Sequence, residues 1–267
     1  MKKTDKLSNI LKEMKSILVA YSGGVDSTYL LKTAIDTIGT KNVLAVIASS
    51  ETYPEHEKRE ALELCNNLGA KCMVIETEEL KDQKFKSNLN ERCYYCKTEL
   101  FSKLKKIAKE YNIDYVIDGS NTDDQQDFRP GAKAKEELGV RSPLQEAMLT
   151  KSEIRSLSKE LGLSTWNKPS YACLASRIPY GTEIEQGLLT KIGEAENYLR
   201  ELGFRQLRVR HHGNLARIEI DQDELPKIMK NNLMDKINKR FAGLGYIYVT
   251  LDLKGYRAGS LNEVFEK

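Results

Sequence analysis

Apolar residues in the first two thirds of the chain form short runs that alternate with helical patterns. The runs at residues 17–20, 43–48, 71–76 and 115–118 predict buried strands. Between them, apolar positions three and four residues apart predict amphipathic helices. This alternation predicts an α/β fold, a parallel sheet with helices on both faces. Ligands of such sheets bind at the carboxyl ends of the strands.

After about residue 183 the pattern changes. It predicts a helix, two strands, further helical segments and a last strand, at residues 188–202, 207–212, 215–220, 224–244 and 246–251. This order predicts a small C-terminal α+β domain. We therefore expect a nucleotide-binding domain over 1–182 and a substrate-binding or oligomerisation domain over 183–267. Residues 119–149 and 166–181 are predicted to be mostly irregular functional loops.

The segment Ser22-Gly23-Gly24-Val25-Asp26-Ser27 lies between the first predicted strand and a helix. Its two glycines let the backbone approach an anion, and the helix N-terminus adds a favourable dipole. A serine-capped turn would explain a Gly-Gly pair alone. The longer pattern resembles the PP-loop of ATP pyrophosphatases, and it lacks the Gly-Lys-Ser/Thr ending of a Walker A loop. The resemblance implies cleavage of ATP to AMP and pyrophosphate, with transfer of the adenylyl group to a substrate oxygen.

Asp26 would repel a bare phosphate, so we expect it to act through Mg²⁺ or to fix the loop. The carboxylates of residues 118–124 also suit Mg²⁺. An Asx-rich turn is the alternative, but their position at a strand end beside the predicted loop favours the metal site. The expected ATP- and Mg²⁺-binding residues are Ala20, Ser22, Gly23, Gly24, Asp26, Ser27, Ser49, Gly119, Asn121, Asp124 and Arg129.

Composition narrows the class of protein. The 42 basic and 39 acidic residues give a net charge of +3, which does not suggest a protein that coats nucleic acid. No apolar run approaches the roughly 20 residues that span a bilayer, and no secretory signal is visible. We therefore expect a cytoplasmic protein. The odd number of cysteines, five among 267 residues, is a poor disulfide framework.

The cysteines fall into two groups. Cys65 and Cys72 lie at apolar positions of a helix and a strand, which predicts core packing. Cys93 and Cys96 form a Cys-x-x-Cys pair before a predicted helix, and Cys173 lies in an irregular stretch. These positions are compatible with four interpretations: a redox pair, half a zinc site, an iron–sulfur site, or three unrelated thiols. Zinc would need a fourth ligand, whereas three cluster ligands would leave one iron open to hydrosulfide.

Several further motifs accompany the PP-loop pattern. They are the segments at residues 118–124, 129–131, 142–144, 168–169, 173–177, 179–181, 208–210 and 255–257. Together they resemble the LarE family over nearly the whole chain. That resemblance implies a substrate, pyridinium-3,5-biscarboxylic acid mononucleotide. Its carboxylate is adenylylated and converted to a thiocarboxylate during nickel-pincer cofactor synthesis.

The resemblance also implies roles for individual residues. The expected catalytic residues are Cys173, Cys93, Cys96, Asp26, Arg177 and Glu196, and the three cysteines would hold a [4Fe-4S] cluster. Some family members sacrifice the sulfur of the cysteine that matches Cys173. The additional Cys93 and Cys96 favour cluster-fed sulfur transfer instead. The expected ligands of the substrate phosphate are Arg208, Arg210, His212 and Arg217, although a solvated hairpin face would explain that pattern nearly as well.

Three other functions remain as alternatives. A tRNA thiolation enzyme of the PP-loop class ranks second, an ammonia-using PP-loop ligase third, and a non-enzymatic nucleotide-binding or zinc-scaffold protein fourth. For the favoured function, LarE-type sulfur transfer, the expected partners are a small-molecule nucleotide substrate and sulfide or a sulfur donor. We also expect the protein to form a homo-oligomer. We expect no nucleic-acid partner and no membrane association.

Overall fold

The computed structural model describes residues 2–125, 130–169, 172–230, 232–257 and 259–265. The helices are α1 (Lys3–Met14), α2 (Val25–Ile38), α3 (Glu55–Asn67), α4 (Gln83–Lys86), α5 (Arg92–Glu110), α6 (Pro130–Glu137), α7 (Pro143–Glu146), α8 (Lys151–Glu160), α9 (Gln186–Glu201) and α10 (Leu233–Gly243). The strands are β1 (Ile17–Ala20), β2 (Val43–Ser49), β3 (Lys71–Glu76), β4 (Tyr115–Asp118), β5 (Leu207–His212), β6 (Leu215–Ile220) and β7 (Tyr248–Leu251). None of the described helices combines the length and the apolar character needed to cross a bilayer.

The chain divides into two units, Met1–Phe85 with Asn90–Tyr171, and Lys86–Leu89 with Ala172–Lys267. The first unit contains a parallel sheet in the order β3-β2-β1-β4. Ile17 of β1 packs into one buried cluster with α1, α2 and α3, whereas Leu18 packs with α5 in another. Successive strand residues face opposite sides, so both faces are covered. The predicted α/β class is confirmed.

The second unit contains a three-stranded sheet in the order β5-β6-β7. Strands β5 and β6 are antiparallel, whereas β7 runs parallel to β6. Leu199 of α9 and Phe241 of α10 share a buried cluster with Val209 and Ile218 of the sheet. Helices therefore cover one apolar sheet face, and the predicted α+β character of this part is confirmed.

Packing divides the chain between residues 171 and 172, whereas the sequence suggested a boundary near residue 182. Asn88 explains part of the difference. It is fully buried, and its side-chain amide donates to the carbonyl oxygens of Pro179 at 2.8 Å and Thr182 at 2.9 Å. In return, the Gly181 amide donates to the Asn88 carbonyl at 3.0 Å. The short segment Lys86–Leu89 is thus tied to residues 178–182 within the second unit.

Two expectations about local structure were wrong. Helix α5 begins at Arg92, so Cys93 and Cys96 lie inside its first turns rather than before it. Helices α6 and α7 occupy part of the expected loop at residues 119–149. Each of these segments has too few aliphatic side chains, or is too short, to show a helical period in the sequence.

We expect Asn88→Ala to destabilise the protein by about 1–3 kcal/mol, because it leaves buried carbonyl groups without a donor. Asn88 has a φ of 52°, so part of any loss reflects backbone conformation. Asn112→Ala is a matched control, since Asn112 has a φ of 54° and is exposed. Urea unfolding of both variants measures the difference. Equal losses for the two variants would contradict the buried hydrogen-bonding role.

Candidate active site

The loop that joins β1 to α2 has a backbone conformation that requires glycine. Gly23 has a φ of 64°, and a Cβ there would lie 2.8 Å from the Cβ of Ala61. The hydroxyl oxygens of Ser22 and Ser27 are 3.1 Å apart, and Ser27 donates to the Gly24 carbonyl at 3.2 Å. Helix α2 begins directly afterwards, so its first amides border the loop. This arrangement can bind an anion through backbone amides.

Gly119 follows β4 and lies against the first turn of α2. A Cβ on Gly119 would lie 2.9 Å from the Ser27 nitrogen and 3.1 Å from its Cα, which real side chains do not allow. The parallel register pairs Ala20 with Asp118, so the carboxyl ends of β1 and β4 are neighbours. The structure therefore brings together the loop and the segment after β4, as the sequence suggested.

Asp26 lies in the first turn of α2 and forms an ion pair with Lys151 of α8. Its other oxygen, Oδ1, is buried and has no hydrogen-bond partner among the described residues. Burial raises the pKa of Asp26. Lys151 and the nearby Asn121 side chain oppose that effect, whereas the charge of Asp124 raises the pKa further. A partnerless carboxylate oxygen beside a second carboxylate fits Mg²⁺, which prefers oxygen ligands.

The carboxylates after β4 differ in their partners. Asp118 accepts hydrogen bonds from the hydroxyls of Ser142 at 2.6 Å and Ser120 at 2.7 Å. Lys135 lies 3.3 Å from the same carboxylate. The negative charge of Asp118 is therefore balanced by Lys135, and its oxygens have hydrogen-bond donors within the fold. Asp124 instead accepts from the backbone amide of Asn121 at 3.0 Å, which shapes the loop that follows Gly119.

The remaining expected ATP ligands lie at the same sheet edge or outside the described residues. Ala20 and Ser49 are the last residues of β1 and β2, so both lie at the carboxyl ends of their strands. The hydroxyl of Ser49 accepts from Lys58 at 3.4 Å. Arg129 lies outside the described residues. Sequence reasoning missed Lys151, whose only signal was its place at the start of the capped helix α8.

Cys93 and Cys96 are three residues apart in α5, a spacing that places both thiols on one side of the helix. Cys93 is exposed, and the Cys96 thiol donates to the Glu79 carboxylate at 3.6 Å. Burial raises the pKa of Glu79. Within the described residues, no three His, Cys, Asp or Glu side chains are grouped to hold a metal. The pair alone fits two thiolate ligands of a cluster.

Cys173 belongs to the second unit, where it directly precedes a short 3-10 helix, Leu174–Arg177. Arg177 is fully buried and pairs with Glu196 of α9 through two hydrogen bonds, of 2.8 and 3.0 Å. Burial alone would raise the pKa of Glu196, but the charge and hydrogen bonds of Arg177 outweigh it and lower the pKa to about 2. Glu196 is therefore a carboxylate throughout the neutral pH range.

The predicted phosphate-binding arginines lie together on β5 and β6, but they are not a solvated face. Arg210 is 6% exposed and pairs with Glu219 through two bonds of 3.0 Å, and Arg217 bonds to the same carboxylate at 3.1 Å. The guanidinium of Arg208 lies 5.0 Å from the ring centre of Tyr256. His212 is exposed at the end of β5. Sequence reasoning missed Glu219, the buried carboxylate that joins two of these arginines.

Comparison with known proteins decides the family. Residues 2–113 match the NAD synthase family. The pyridinium-3,5-bisthiocarboxylic acid mononucleotide synthase of Lactiplantibacillus plantarum is 41% identical over 257 residues, 96% of this chain and 92% of its own length. The chain belongs to the LarE family. An uncharacterised protein of Synechocystis sp. is 41% identical over 99% of this chain, and one of Methanocaldococcus jannaschii is 36% identical over 97%. Each match covers 98% of that protein's own length.

Membership of the LarE family confirms the resemblance drawn from the motifs. The match to NAD synthase covers β1, α2 and the loop between them, the part of a LarE protein with the PP-loop pattern. This match supports the use of ATP by the first unit. Among the described residues, none of the five cysteines of this LarE protein forms a disulfide. Cys65 is fully buried in the core, as predicted.

We expect Gly119→Ala to weaken ATP binding at least about tenfold, or ~1.4 kcal/mol, because the new Cβ would push the Ser27 backbone away from its position. Gly187→Ala is the control, since a Cβ at Gly187 meets no atom within 4 Å. Calorimetric titration with ATP and Mg²⁺ measures both variants. Unchanged affinity in a folded Gly119→Ala protein would show that this close approach does not shape the nucleotide site.

Proposed function

We propose that this chain is an ATP-dependent sulfur transferase acting on pyridinium-3,5-biscarboxylic acid mononucleotide. The enzyme adenylylates a carboxylate of that substrate and converts it to a thiocarboxylate. The observation that carries the proposal is the 41% identity, over 96% of the chain, to a synthase named for the bisthiocarboxylic acid product. The glycine-dependent loop between β1 and α2 supports the ATP-using half of the reaction.

In the first step, a substrate carboxylate oxygen attacks the α-phosphorus of ATP, and the bond to the bridging oxygen breaks. Pyrophosphate leaves, and an acyl adenylate remains. We propose that the amides around Gly23 and Gly24, with the hydroxyls of Ser22 and Ser27, bind the leaving phosphates. Donors held in place before the reaction stabilise the developing negative charge without reorganising. Ala20, Ser49, Gly119, Asn121 and Arg129 complete the proposed nucleotide site.

We propose that Asp26 and Asp124 hold Mg²⁺. The buried Asp26 Oδ1, which has no partner among the described residues, supports this assignment. Bound there, Mg²⁺ would neutralise charge on the triphosphate. When Mg²⁺ is absent, the ion pair with Lys151 compensates the negative charge of the Asp26 carboxylate.

In the second step, a sulfur nucleophile attacks the activated carbonyl carbon, and the bond to the AMP oxygen breaks. AMP is a far better leaving group than the original carboxylate oxygen. We propose that Cys93, Cys96 and Cys173 hold a [4Fe-4S] cluster in this enzyme. Bound by these three thiolates, such a cluster would supply a position at which sulfide can be held. The one-sided spacing of Cys93 and Cys96 and the exposure of Cys93 support this assignment.

We further propose that the second unit binds the substrate phosphate through Arg208, His212 and Arg217. Arg210, whose guanidinium nitrogens all donate to protein acceptors, would act indirectly by holding Glu219 beside Arg217. Guanidinium groups suit phosphate because their planar donors match its oxygens. Sulfide or a sulfur donor supplies the sulfur. We propose a homo-oligomer in the cytoplasm, where five cysteines that form no disulfide within the described residues would remain reduced.

Asp26→Asn should lower the rate of pyrophosphate release on the order of 10²-fold or more, because the neutral amide is a weaker Mg²⁺ ligand. Asp36→Asn is the matched control, since Asp36 lies on the same helix and pairs with Lys32 at the surface. A coupled pyrophosphate assay with substrate present measures both. Full activity of Asp26→Asn would remove Asp26 from the mechanism.

Anaerobically prepared protein should contain about four iron and four acid-labile sulfide per chain, with broad visible absorbance. Replacing Cys93, Cys96 or Cys173 by serine should remove most of the iron, because each change deletes a cluster ligand. Cys72→Ser should retain it, since Cys72 packs against the core. A colourless wild-type protein with stoichiometric zinc would overturn the cluster assignment.

A further inference from the structure

The turn that carries Cys173 is held by the side chain at its own end. The Arg177 Nη1 donates to the carbonyl oxygens of Ala172 at 2.6 Å and Cys173 at 3.0 Å. The same nitrogen donates to the Ser176 hydroxyl at 2.9 Å. One guanidinium nitrogen therefore contacts the backbone on the N-terminal side of the 3-10 helix and a side chain inside it.

The rest of the guanidinium is held by Glu196, whose carboxylate is itself fixed. Nε and Nη2 of Arg177 donate to the two oxygens of Glu196. Glu196 also accepts from the Val209 backbone amide and from Arg200, each at 3.1 Å. Because Val209 lies in β5 and Glu196 in α9, the orientation of Arg177 is set by the sheet and a long helix.

A second arginine–carboxylate pair contacts the same turn. Arg210 of β5 donates to the Ser176 carbonyl at 2.7 Å, and its own orientation is fixed by Glu219. The Ser260 hydroxyl donates to Glu219 at 2.9 Å, so this carboxylate also has several partners. The carbonyls of Ala172, Cys173 and Ser176 are thus bound by two guanidinium groups, each supported by a buried carboxylate.

This geometry does not suit direct contact between Arg177 and a substrate. Arg177 is fully buried, and all of its guanidinium nitrogens donate to protein acceptors. Glu196 is equally buried and stays ionised at neutral pH. Buried ion pairs contribute little net stability. The main effect of the Arg177–Glu196 pair is therefore to fix the position of the Arg177 guanidinium.

We propose that Arg177, fixed by Glu196, is a positioning residue that holds the Cys173 turn in one conformation for the sulfur-transfer step. Both residues were expected to be catalytic. Here they act through the backbone of Cys173 instead. The proposal rests on the sulfur-transferase function proposed above, and it assigns Arg177 to the second chemical step rather than to adenylylation.

The test compares Arg177→Lys in the full-length protein with the wild type. Lysine retains the charge opposite Glu196 but lacks the planar fork that reaches the carbonyls and the carboxylate together. We expect thiocarboxylate formation to fall on the order of 10²-fold in kcat, with the Kd for substrate and the rate of pyrophosphate release in the first turnover within about twofold of wild type. Glu196→Gln should shift kcat in the same direction, because its amide accepts fewer bonds.

Hydrogen–deuterium exchange gives an independent readout. In the wild type the amides of Ser176 and Ile178 are bonded to the carbonyls of Cys173 and Ala175, at 3.0 and 3.1 Å. In Arg177→Lys the peptide spanning residues 172–178 should exchange about tenfold faster, with β5 and β6 unchanged. Faster exchange throughout the second unit would mean general destabilisation and would overturn the positioning role.

Arg240→Lys is the matched control, since Arg240 pairs at 3.0 Å with Glu194, which lies on the same helix α9 but at the surface. It should leave both kcat and the exchange of residues 172–178 unchanged. A parallel loss of first-turnover pyrophosphate release in Arg177→Lys would overturn the proposal, because it would place Arg177 in the first step. If the wild type forms no thiocarboxylate, the proposed function fails, whereas the exchange comparison still tests whether Arg177 holds the turn.

Discussion

Close approach of backbone to backbone at the ends of β1 and β4 is the constraint on which the nucleotide site depends. A side chain at Gly23 would collide with Ala61, and one at Gly119 would collide with the Ser27 backbone. These contacts fix the loop after β1 against α3, and the segment after β4 against the first turn of α2. The amides of that turn and the Asp26 carboxylate are therefore presented together at the carboxyl edge of the sheet, where parallel sheets bind ligands.

Buried carboxylates in this protein serve different purposes according to their partners. Removing a carboxylate from water is tolerable only when cations and hydrogen bonds compensate it. Asp118 is fully compensated by two hydroxyls and Lys135, so it supports the fold. Asp26 has one cation partner, and its Oδ1 is buried without a hydrogen bond to any described residue. The incompletely satisfied carboxylate is the one suited to a metal ion.

The second unit uses the same chemistry to position a short turn. Two arginine–glutamate pairs, centred on Glu196 and Glu219, connect α9 and β5–β6 to residues 172–176. Planar guanidinium groups suit this task because their donors point in fixed directions. Charged groups that look like substrate ligands in a sequence can therefore act on the protein's own backbone. Whether such an arginine can bind a substrate then depends on whether any of its N–H groups is left over from contacts within the protein.

The sequence by itself determined which strands the functional groups follow. A Gly-Gly loop follows the first strand, carboxylates follow the fourth, and the pattern of apolar residues changes before the last third of the chain. Local periodicity carries such information because it depends on neighbours along the chain. It missed the first turns of α5, where Arg92, the two cysteines and the tyrosines between them give no aliphatic period. Only the tertiary structure decided that Lys151 meets Asp26 and that Glu219 joins Arg210 to Arg217. These contacts bring together residues from different elements, and no spacing along the chain encodes which buried charge will find which partner.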